Sequence, residues 1–137
     1  MRILVDTNVF LDYLLNRNTA AGLFFHWCAE NKNQIFVTSM SLRDIEYTTH
    51  RLVHNKKASK FIQMQAYQIC SKVIGISADA AIESLYSDVD DYEDSLIIEA
   101  AKEEMLDVIV SNNKKDFTKS GFPIFTPTEM LSFTNID

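Results

Sequence analysis

The chain has little glycine, proline or cysteine, and each shortage limits what the protein can be. Its 137 residues include three glycines and two prolines, and no glycine-rich loop is present to cradle a nucleotide phosphate. The two cysteines, Cys28 and Cys70, fit neither a metal-binding spacing nor a disulfide framework. We therefore expect both thiols to lie in the core of a protein kept in a reducing cytoplasm.

Long apolar runs and a positive net charge are also missing. The longest uncharged stretch, residues 18–29, has only about a dozen residues, against the roughly twenty that a spanning helix requires. We expect no membrane segment, and the N-terminus lacks the layout of a signal peptide. The net charge of −6 argues against a nonspecific DNA-binding protein. The length is sufficient for one domain with a full core, which we expect over residues 1–137.

Strand-like and helix-like segments alternate along the chain, which is typical of an α/β domain. Short apolar runs predict strands at residues 2–5, 34–38, 73–76, 108–111 and 123–125, with helices between them. The interval 39–72 has room for two helices, separated near residues 54–59. Thr126, Pro127 and Glu129 form the pattern of a capping box that begins a last short helix.

Acidic and amide side chains follow several of these strands. In parallel α/β sheets the carboxyl ends of the strands lie at one edge, where ligands bind. Four segments bring such groups towards that edge: Asp6 after the first strand, Asp44 on the helix after the second, Asp91 and Asp94 at the start of the helix before the fourth, and Asn113 and Asp116 after the fourth.

Simpler explanations exist for some of these acids, and the pattern alone leaves the choice open. Asp6 could cap the helix that follows it, and Asp91 and Asp94 could be acids favoured by the helix dipole in a first turn. However, a carboxylate buried at position 94 would need a partner or a metal. Asp94 is in register with an apolar stripe formed by Ile97, Ile98, Ala101 and Met105.

On the helix after the second strand, Asp44 competes with Glu46 for a place at the edge. If the buried face contains Leu42, Ile45, Thr49 and Leu52, Glu46 lies at its border and Asp44 on the far side. Nearness to the strand end favours Asp44, although the segment SLRD could also be a capping box. The periodicity slightly favours Glu46, so these arguments together do not decide between the two acids.

Carboxylates gathered at one edge predict a metal site. Two such charges about 4 Å apart repel by roughly 4 kcal/mol at an effective dielectric constant of 20, and a divalent cation removes this repulsion. Oxygen ligands without histidine or cysteine favour Mg²⁺ or Mn²⁺. Because such ions bind phosphate oxygens, the predicted reaction is metal-assisted hydrolysis of a phosphodiester bond.

Basic residues are concentrated in two segments, HRLVHNKKASK at residues 50–60 and NNKKDFTK at residues 112–119. Either segment could contact a nucleic-acid backbone, meet a protein partner, or form ordinary solvated surface. The candidate RNA contacts are Arg51, His54, Lys56, Lys57, Lys114 and Lys115.

Taken as an ordered set, five segments resemble the PIN-domain nucleases, in particular the VapC-like toxins of bacterial toxin–antitoxin pairs. These segments are ILVDTNVFLDYLL, VTSMSLRDIEY, DYEDSLIIEAAKEE, VIVSNNKKDF and IFTPTEML, and the resemblance covers essentially the whole chain. It implies a three-layer α/β/α sandwich around a mainly parallel sheet, and a Mg²⁺- or Mn²⁺-dependent endoribonuclease. It further implies an RNA substrate, a homodimer, and an antitoxin whose tail covers the acidic groove.

The resemblance also implies roles for individual residues. It assigns catalysis and metal binding to Asp6, Asp44 and Asp94, and the DIEY match selects Asp44 over Glu46. Asp91 and Asp116 are further candidate metal ligands, and the candidate supporting residues are Thr7, Asn8, Ser39 and Asn113.

Two positions depart from the family pattern. Many members carry glutamate at the position of Asp44, and an acid where this chain has Asn113. The second departure motivates an alternative function, a catalytically weak PIN-like module that binds RNA or a protein without cutting. A second alternative is a nuclease of RNA processing that has no antitoxin.

Overall fold

The computed structural model describes residues 1–133, which form a five-stranded parallel sheet with helices on both faces. Residues 134–137 of the predicted single domain lie outside the described range. The strands are β1 (Arg2–Val5), β2 (Gln34–Thr38), β3 (Lys72–Ile74), β4 (Val108–Val110) and β5 (Ile124–Phe125). The helices are α1 (Thr7–Leu14), α2 (Thr19–Glu30), α3 (Ser39–Val53), α4 (Lys56–Gln68), α5 (Ala78–Leu85), α6 (Tyr92–Glu103) and α7 (Pro127–Ser132), and a 3₁₀ helix covers Lys114–Ser120.

Both faces of the sheet are buried, which explains why the strands are apolar without alternation. Successive side chains of a strand point to opposite faces. In β1, Ile3 and Val5 pack in one cluster with Phe10 of α1 and other residues of α2, α3, α4 and α7. Leu4 packs in the other cluster with Ile98 of α6 and residues around the 3₁₀ helix. The predicted three-layer α/β/α sandwich is confirmed.

The order of the strands creates a crevice beside β1. The strands lie in the order β3-β2-β1-β4-β5 and every neighbouring pair is parallel. The chain thus adds β2 and β3 on one side of β1, then crosses over to add β4 and β5 on the other. The backbone N–H of Asp6 donates to the carbonyl oxygen of Val110 at 2.9 Å, which ties the end of β1 to the end of β4. Ligands of open α/β sheets bind at such a switch point.

The predicted elements are present, with small shifts at the strand ends. The third strand is Lys72–Ile74 where residues 73–76 were expected, and the fourth and fifth are one residue shorter than predicted. The two helices of the interval 39–72 separate at His54, which has a φ of 52°, and at Asn55, whose side chain caps α4. The capping box of α7 is confirmed, because Thr126 and Glu129 bond reciprocally at 3.1 Å.

Two residues expected on buried helix faces are exposed. Met105 is 78% exposed because α6 ends at Glu103 and Met105 itself has a φ of 54°, which takes it off the helical stripe. Leu52 is 56% exposed because it lies in the last turn of α3, beyond Thr49, where the buried part of that helix ends. The expectation was correct for the inner parts of both helices and wrong for their ends.

Both cysteines are free thiols, with Cys28 buried and Cys70 partly buried. Burial raises the pKa of each thiol to about 12, so neither is a reactive thiolate at neutral pH. Within residues 1–133, the helices are too short or too polar to cross a membrane.

Candidate active site

Asp6 lies at the carboxyl end of β1 and is held by three hydrogen bonds. Its Oδ1 accepts from the backbone N–H of Thr7 at 2.8 Å. Its Oδ2 accepts from the Asn8 side-chain amide at 3.2 Å and from the Ser111 hydroxyl at 2.8 Å. Asp6 therefore does cap α1, as the simpler explanation proposed, and its second oxygen is fixed from the other side of the crevice by β4.

The backbone N–H groups at the ends of this network determine which side-chain atoms donate and which accept. The backbone N–H of Asn112 donates to Asn8 Oδ1 at 3.1 Å, so the amide of Asn8 turns its NH₂ towards Asp6. Likewise, the backbone N–H of Asn113 donates to Ser111 Oγ at 3.0 Å, and the Ser111 hydroxyl proton is directed to Asp6. Backbone N–H groups can only donate, so Asp6 Oδ2 is the common acceptor of two side chains.

Burial dominates the electrostatics of Asp6. The residue is 9% exposed, and desolvation raises the pKa of its carboxyl. The hydrogen bonds from Ser111, Thr7 and Asn8 lower that pKa, and repulsion from Asp44 raises it again. Among the ion pairs of residues 1–133, none includes Asp6, so its charge is balanced by neutral donors alone.

An acidic hollow opens beside Asp6 at the switch point of the sheet. Acids reach it from the end of β1, from α3 and from α6, while Leu11, Met40 and Ile97 supply apolar walls. Its lining comprises Asp6, Thr7, Asn8, Leu11, Met40, Asp44, Glu93, Asp94, Ile97 and Asn113. The structure thus brings together the three acids to which the resemblance gave catalytic roles.

Asp94, like Asp6, lies in an environment that disfavours its charged form. The first turn of α6 carries it, and its backbone N–H donates to Asp91 Oδ1 at 3.1 Å. Desolvation by burial, followed by repulsion from Asp91, Asp6, Asp116 and Glu93, raises the pKa of Asp94 to about 7. This is the pattern expected where several carboxylates share a site that a cation can neutralise.

A second hollow adjoins the first, and Asp94 lines both. Asp91 and Asp116 face this second hollow and do not line the first. Its full lining is Asp90, Asp91, Asp94, Lys115, Asp116, Thr118 and Lys119, and Lys119 pairs with Asp90 at 3.2 Å. The five predicted metal-binding acids therefore divide into two groups that meet at Asp94.

The structure separates Asp44 from Glu46. Asp44 lines the acidic hollow and accepts a hydrogen bond from Arg43 Nη1 at 3.0 Å. Glu46 accepts from the hydroxyl of buried Ser59 at 3.2 Å, which joins α3 to α4. Glu46 thus has a packing role, whereas Asp44 faces the other acids.

The predicted supporting residues differ in position. Thr7, Asn8 and Asn113 line the acidic hollow. Ser39 is exposed and is not part of that lining. The cap of α3 is its neighbour Thr38, whose Oγ1 accepts from the backbone N–H of Ser41 at 3.0 Å. Three of the four predicted supporting residues therefore line the site.

The predicted RNA contacts are not gathered at the hollow. Arg51, His54, Lys56 and Lys57 are exposed around the junction of α3 and α4. Lys115 lines the second hollow. Lys114 is paired with Glu129 at 2.8 Å, and this hydrogen bond lowers the pKa of the Glu129 carboxyl. This ion pair holds the Lys114 side chain against α7.

Two residues of the site had no role in the sequence-based prediction. Ser111 is fully buried and donates to Asp6, and Glu93 lines the acidic hollow beside Asp94. Ser111 directly follows β4, the strand paired with β1. Its contact with Asp6 follows from that pairing, which a single sequence does not specify.

The donor set fits a hard divalent cation held partly through water. Among residues 1–133, no three histidine, cysteine, aspartate or glutamate side chains lie close enough to hold an ion by themselves. Mg²⁺ uses one or two carboxylates and keeps several waters, which a substrate phosphate can replace. The polar side chains of the lining offer carboxylate, amide and hydroxyl oxygens and include no histidine or cysteine. These donors and the raised pKa of Asp94 agree with such an ion and disfavour a closed zinc site.

Most of the chain matches the model of a known protein family. A model of the PIN domain matches residues 2–115. No curated protein sequence matches the chain significantly.

Several solved structures share the fold at low sequence identity. A chain of VapBC2 from Rickettsia felis, solved bound to a DNA fragment from their promoter, has a TM-score of 0.73 at 19% identity, over 91% of this chain and 97% of that one. FitAcB from Neisseria gonorrhoeae has a TM-score of 0.71 at 15% identity, over 92% and 98%. VapC20 from Mycobacterium tuberculosis, described as a Sarcin-Ricin loop cleaving toxin, has a TM-score of 0.66 at 14% identity, over 88% and 95%.

Proposed function

Because this chain belongs to the PIN domain family, we propose that it is a metal-dependent endoribonuclease and the toxin of a toxin–antitoxin pair. The observation that carries this proposal is the meeting of Asp6, Asp44 and Asp94, from three separate elements, in one hollow at the switch point of a parallel sheet. Paired carboxylates at such a position suit hydrolysis of a phosphodiester bond assisted by Mg²⁺ or Mn²⁺.

Asp6 and Asp94 would hold the ion most directly, with Asp44, Asp91 and Asp116 contributing through water. When bound, the ion would lower the pKa of a bound water molecule and neutralise charge on the phosphate. The three donors to Asp6 fix the orientation of its carboxylate. In the absence of an ion the pKa of Asp94 is raised to about 7, and a bound cation would favour its carboxylate form.

The similar solved structures and the exposed apolar side chains of this protein support the proposed partners. Similar folds occur in VapBC2 and in a toxin–antitoxin complex from Klebsiella pneumoniae, which supports an antitoxin as a partner. We propose that a segment of this antitoxin covers the acidic hollow. The proposed homodimer would bury exposed apolar side chains at the end of α3 and along α4. These are Leu52, Val53, Phe61, Met64 and Tyr67. We place the pair in the cytoplasm.

A second candidate function is a PIN-like module that binds RNA without cutting it. Asn113 favours this alternative, because it lines the hollow with a neutral amide where an acid is common in the family. One fewer carboxylate weakens the attraction for a cation. The cleavage assay distinguishes the two functions.

The proposal is tested by incubating the purified, antitoxin-free chain with an end-labelled pool of structured RNAs in EDTA, Mg²⁺ or Mn²⁺. We expect internal cuts that require the ion and are absent in EDTA. A folded protein that cuts nothing under any of these conditions, and that binds no Mn²⁺ in calorimetric titration, contradicts the proposed nuclease. Binding of RNA in EDTA without cleavage in either ion would favour the module instead.

Paired substitutions on α3 distinguish Asp44 from Glu46. We expect Asp44→Asn to lower the cleavage rate by about 10- to 100-fold, as for groups that orient a metal through intermediate contacts. Glu46→Gln keeps an oxygen for the Ser59 hydroxyl and should change the rate by less than about threefold. Initial rates in Mn²⁺ with one labelled RNA give both values. The assignment is wrong if Glu46→Gln is the more damaging of the two while both proteins remain folded.

A further inference from the structure

An exposed stripe of aromatic and cationic side chains runs along α3. Arg43, Tyr47 and Arg51 follow one another at intervals of four residues, so they lie above one another on one face of the helix. The Arg43 side chain is 70% exposed and Tyr47 is 50% exposed. The stripe therefore presents two arginines on the surface of a chain whose net charge is −6.

Both guanidinium groups lie over the ring of Tyr47. The Cζ atom of Arg43 lies 5.3 Å from the centroid of the Tyr47 ring, and that of Arg51 lies 5.8 Å from it. A guanidinium that lies over an aromatic ring can still donate its remaining N–H groups to a phosphate, and in Arg43 only Nη1 is bonded to Asp44. The ring therefore holds two phosphate-binding groups next to each other before any ligand arrives.

The stripe begins at the acidic hollow. Arg43 Nη1 donates to Asp44 Oδ1 at 3.0 Å, and Asp44 lines that hollow. From Arg43 to Arg51 the helix rises about 12 Å, the length of about three stacked nucleotides. A strand lying on the stripe would thus enter the hollow at its Arg43 end.

We propose that Arg43, Tyr47 and Arg51 form a binding track for single-stranded RNA that leads to the acidic hollow, a proposal that rests on the proposed nuclease function. The two arginines bind phosphates of one strand about three nucleotides apart, and Tyr47 orients the guanidinium groups. RNA fits this surface better than an apolar protein contact does, because the stripe has an arginine on each side of an exposed aromatic ring. The exposed apolar side chains of this region lie beside it at Leu52 and Val53 and on α4.

The track is tested by binding in EDTA, where no metal-dependent cleavage takes place. Fluorescence anisotropy with a labelled, mixed-sequence single-stranded RNA gives the Kd at several salt concentrations. Arg43→Gln and Arg51→Gln should each raise the Kd about five- to tenfold at 0.1 M salt and reduce the salt slope by about one. Tyr47→Leu should raise the Kd at least about threefold, whereas Tyr47→Phe keeps the ring and should change it less than about twofold.

Lys102→Gln is the matched control for lost positive charge. Lys102 is on α6, is 47% exposed and pairs with Glu99 at 3.3 Å, away from the stripe. It should bind RNA within about twofold of the wild type. The track is overturned if the three stripe variants bind like this control, or if the wild type does not bind the RNA.

Two further outcomes separate the track from the nuclease and from a protein interface. If the stripe variants bind RNA normally but sediment as monomers where the wild type is a dimer, the stripe is a protein contact and the proposal is wrong. If the variants bind and cut like the wild type in Mn²⁺, the track fails and the nuclease stands. A wild type that binds RNA through the stripe but never cuts removes the nuclease and leaves the track.

Discussion

Asp94→Asn should lower the rate of Mn²⁺-dependent RNA cleavage by about a thousandfold or more. Asp94 lines both hollows, so its loss affects every arrangement in which the five acids hold an ion. An ion that stabilises the transition state contributes several kcal/mol, and about 1.4 kcal/mol corresponds to a tenfold change in rate. Single-turnover cleavage of one labelled RNA, with the protein in excess, gives the rate.

The same substitution should stabilise the ion-free protein at alkaline pH. The folded-state pKa of Asp94 is raised to about 7 from an ordinary value of 3.8. Between these two values the unfolded chain releases the proton and the folded chain retains it, so the stability of the wild type falls as the pH rises. Above about pH 7 the loss is complete. Asparagine has no charge to desolvate, so Asp94→Asn should have the higher Tm at pH 8 in EDTA and a similar Tm near pH 4.

Asp79→Asn is the control for this pair of effects. Asp79 is an exposed acid that, like Asp94, lies in the first turn of its helix, and it lines neither hollow. It should cut RNA at the wild-type rate and show no gain in Tm at pH 8. If Asp94→Asn cuts as fast as Asp79→Asn does, Asp94 is not part of the active site.

Much of this site could be predicted from the sequence because it depends on local features. Asp6 directly follows a buried strand, and Asp94 occupies the first turn of an amphipathic helix, so spacing alone placed both at the same edge of the sheet. The fold was predictable for a similar reason, since the apolar runs mark strands buried on both faces.

The remaining features depend on contacts between distant segments. The periodicity of α3 did not separate Asp44 from Glu46, because the choice depends on Ser59 of α4, which binds the glutamate. Ser111 donates to Asp6 only because β4 pairs with β1 across 105 residues of sequence. Met105 was placed on a buried stripe that the helix does not reach, because the chain turns into a left-handed conformation at that residue.

Asp6→Asn should also abolish cleavage, by about a thousandfold or more, but without the gain in stability expected for Asp94→Asn. Asp6 Oδ2 accepts from two donors, Asn8 and Ser111, and both are fixed in direction by backbone N–H groups. An amide NH₂ in place of Oδ2 would face two donors, and a buried donor without an acceptor costs about 1–3 kcal/mol. This cost opposes the benefit of removing a desolvated charge. Cleavage rates in Mn²⁺ and Tm values in EDTA at pH 8 test both parts.

Ser111→Ala provides the intermediate case, because it removes one donor and leaves the Asp6 carboxylate in place. Losing a group that orients a metal ligand lowers activity by about 10- to 100-fold, so the rate should fall between those of the wild type and Asp6→Asn. The order of the three rates therefore reports on orientation separately from charge. If Ser111→Ala equals the wild type, the hydrogen bond across the crevice does not position Asp6. If it equals Asp6→Asn, the orientation of the carboxylate matters as much as its presence.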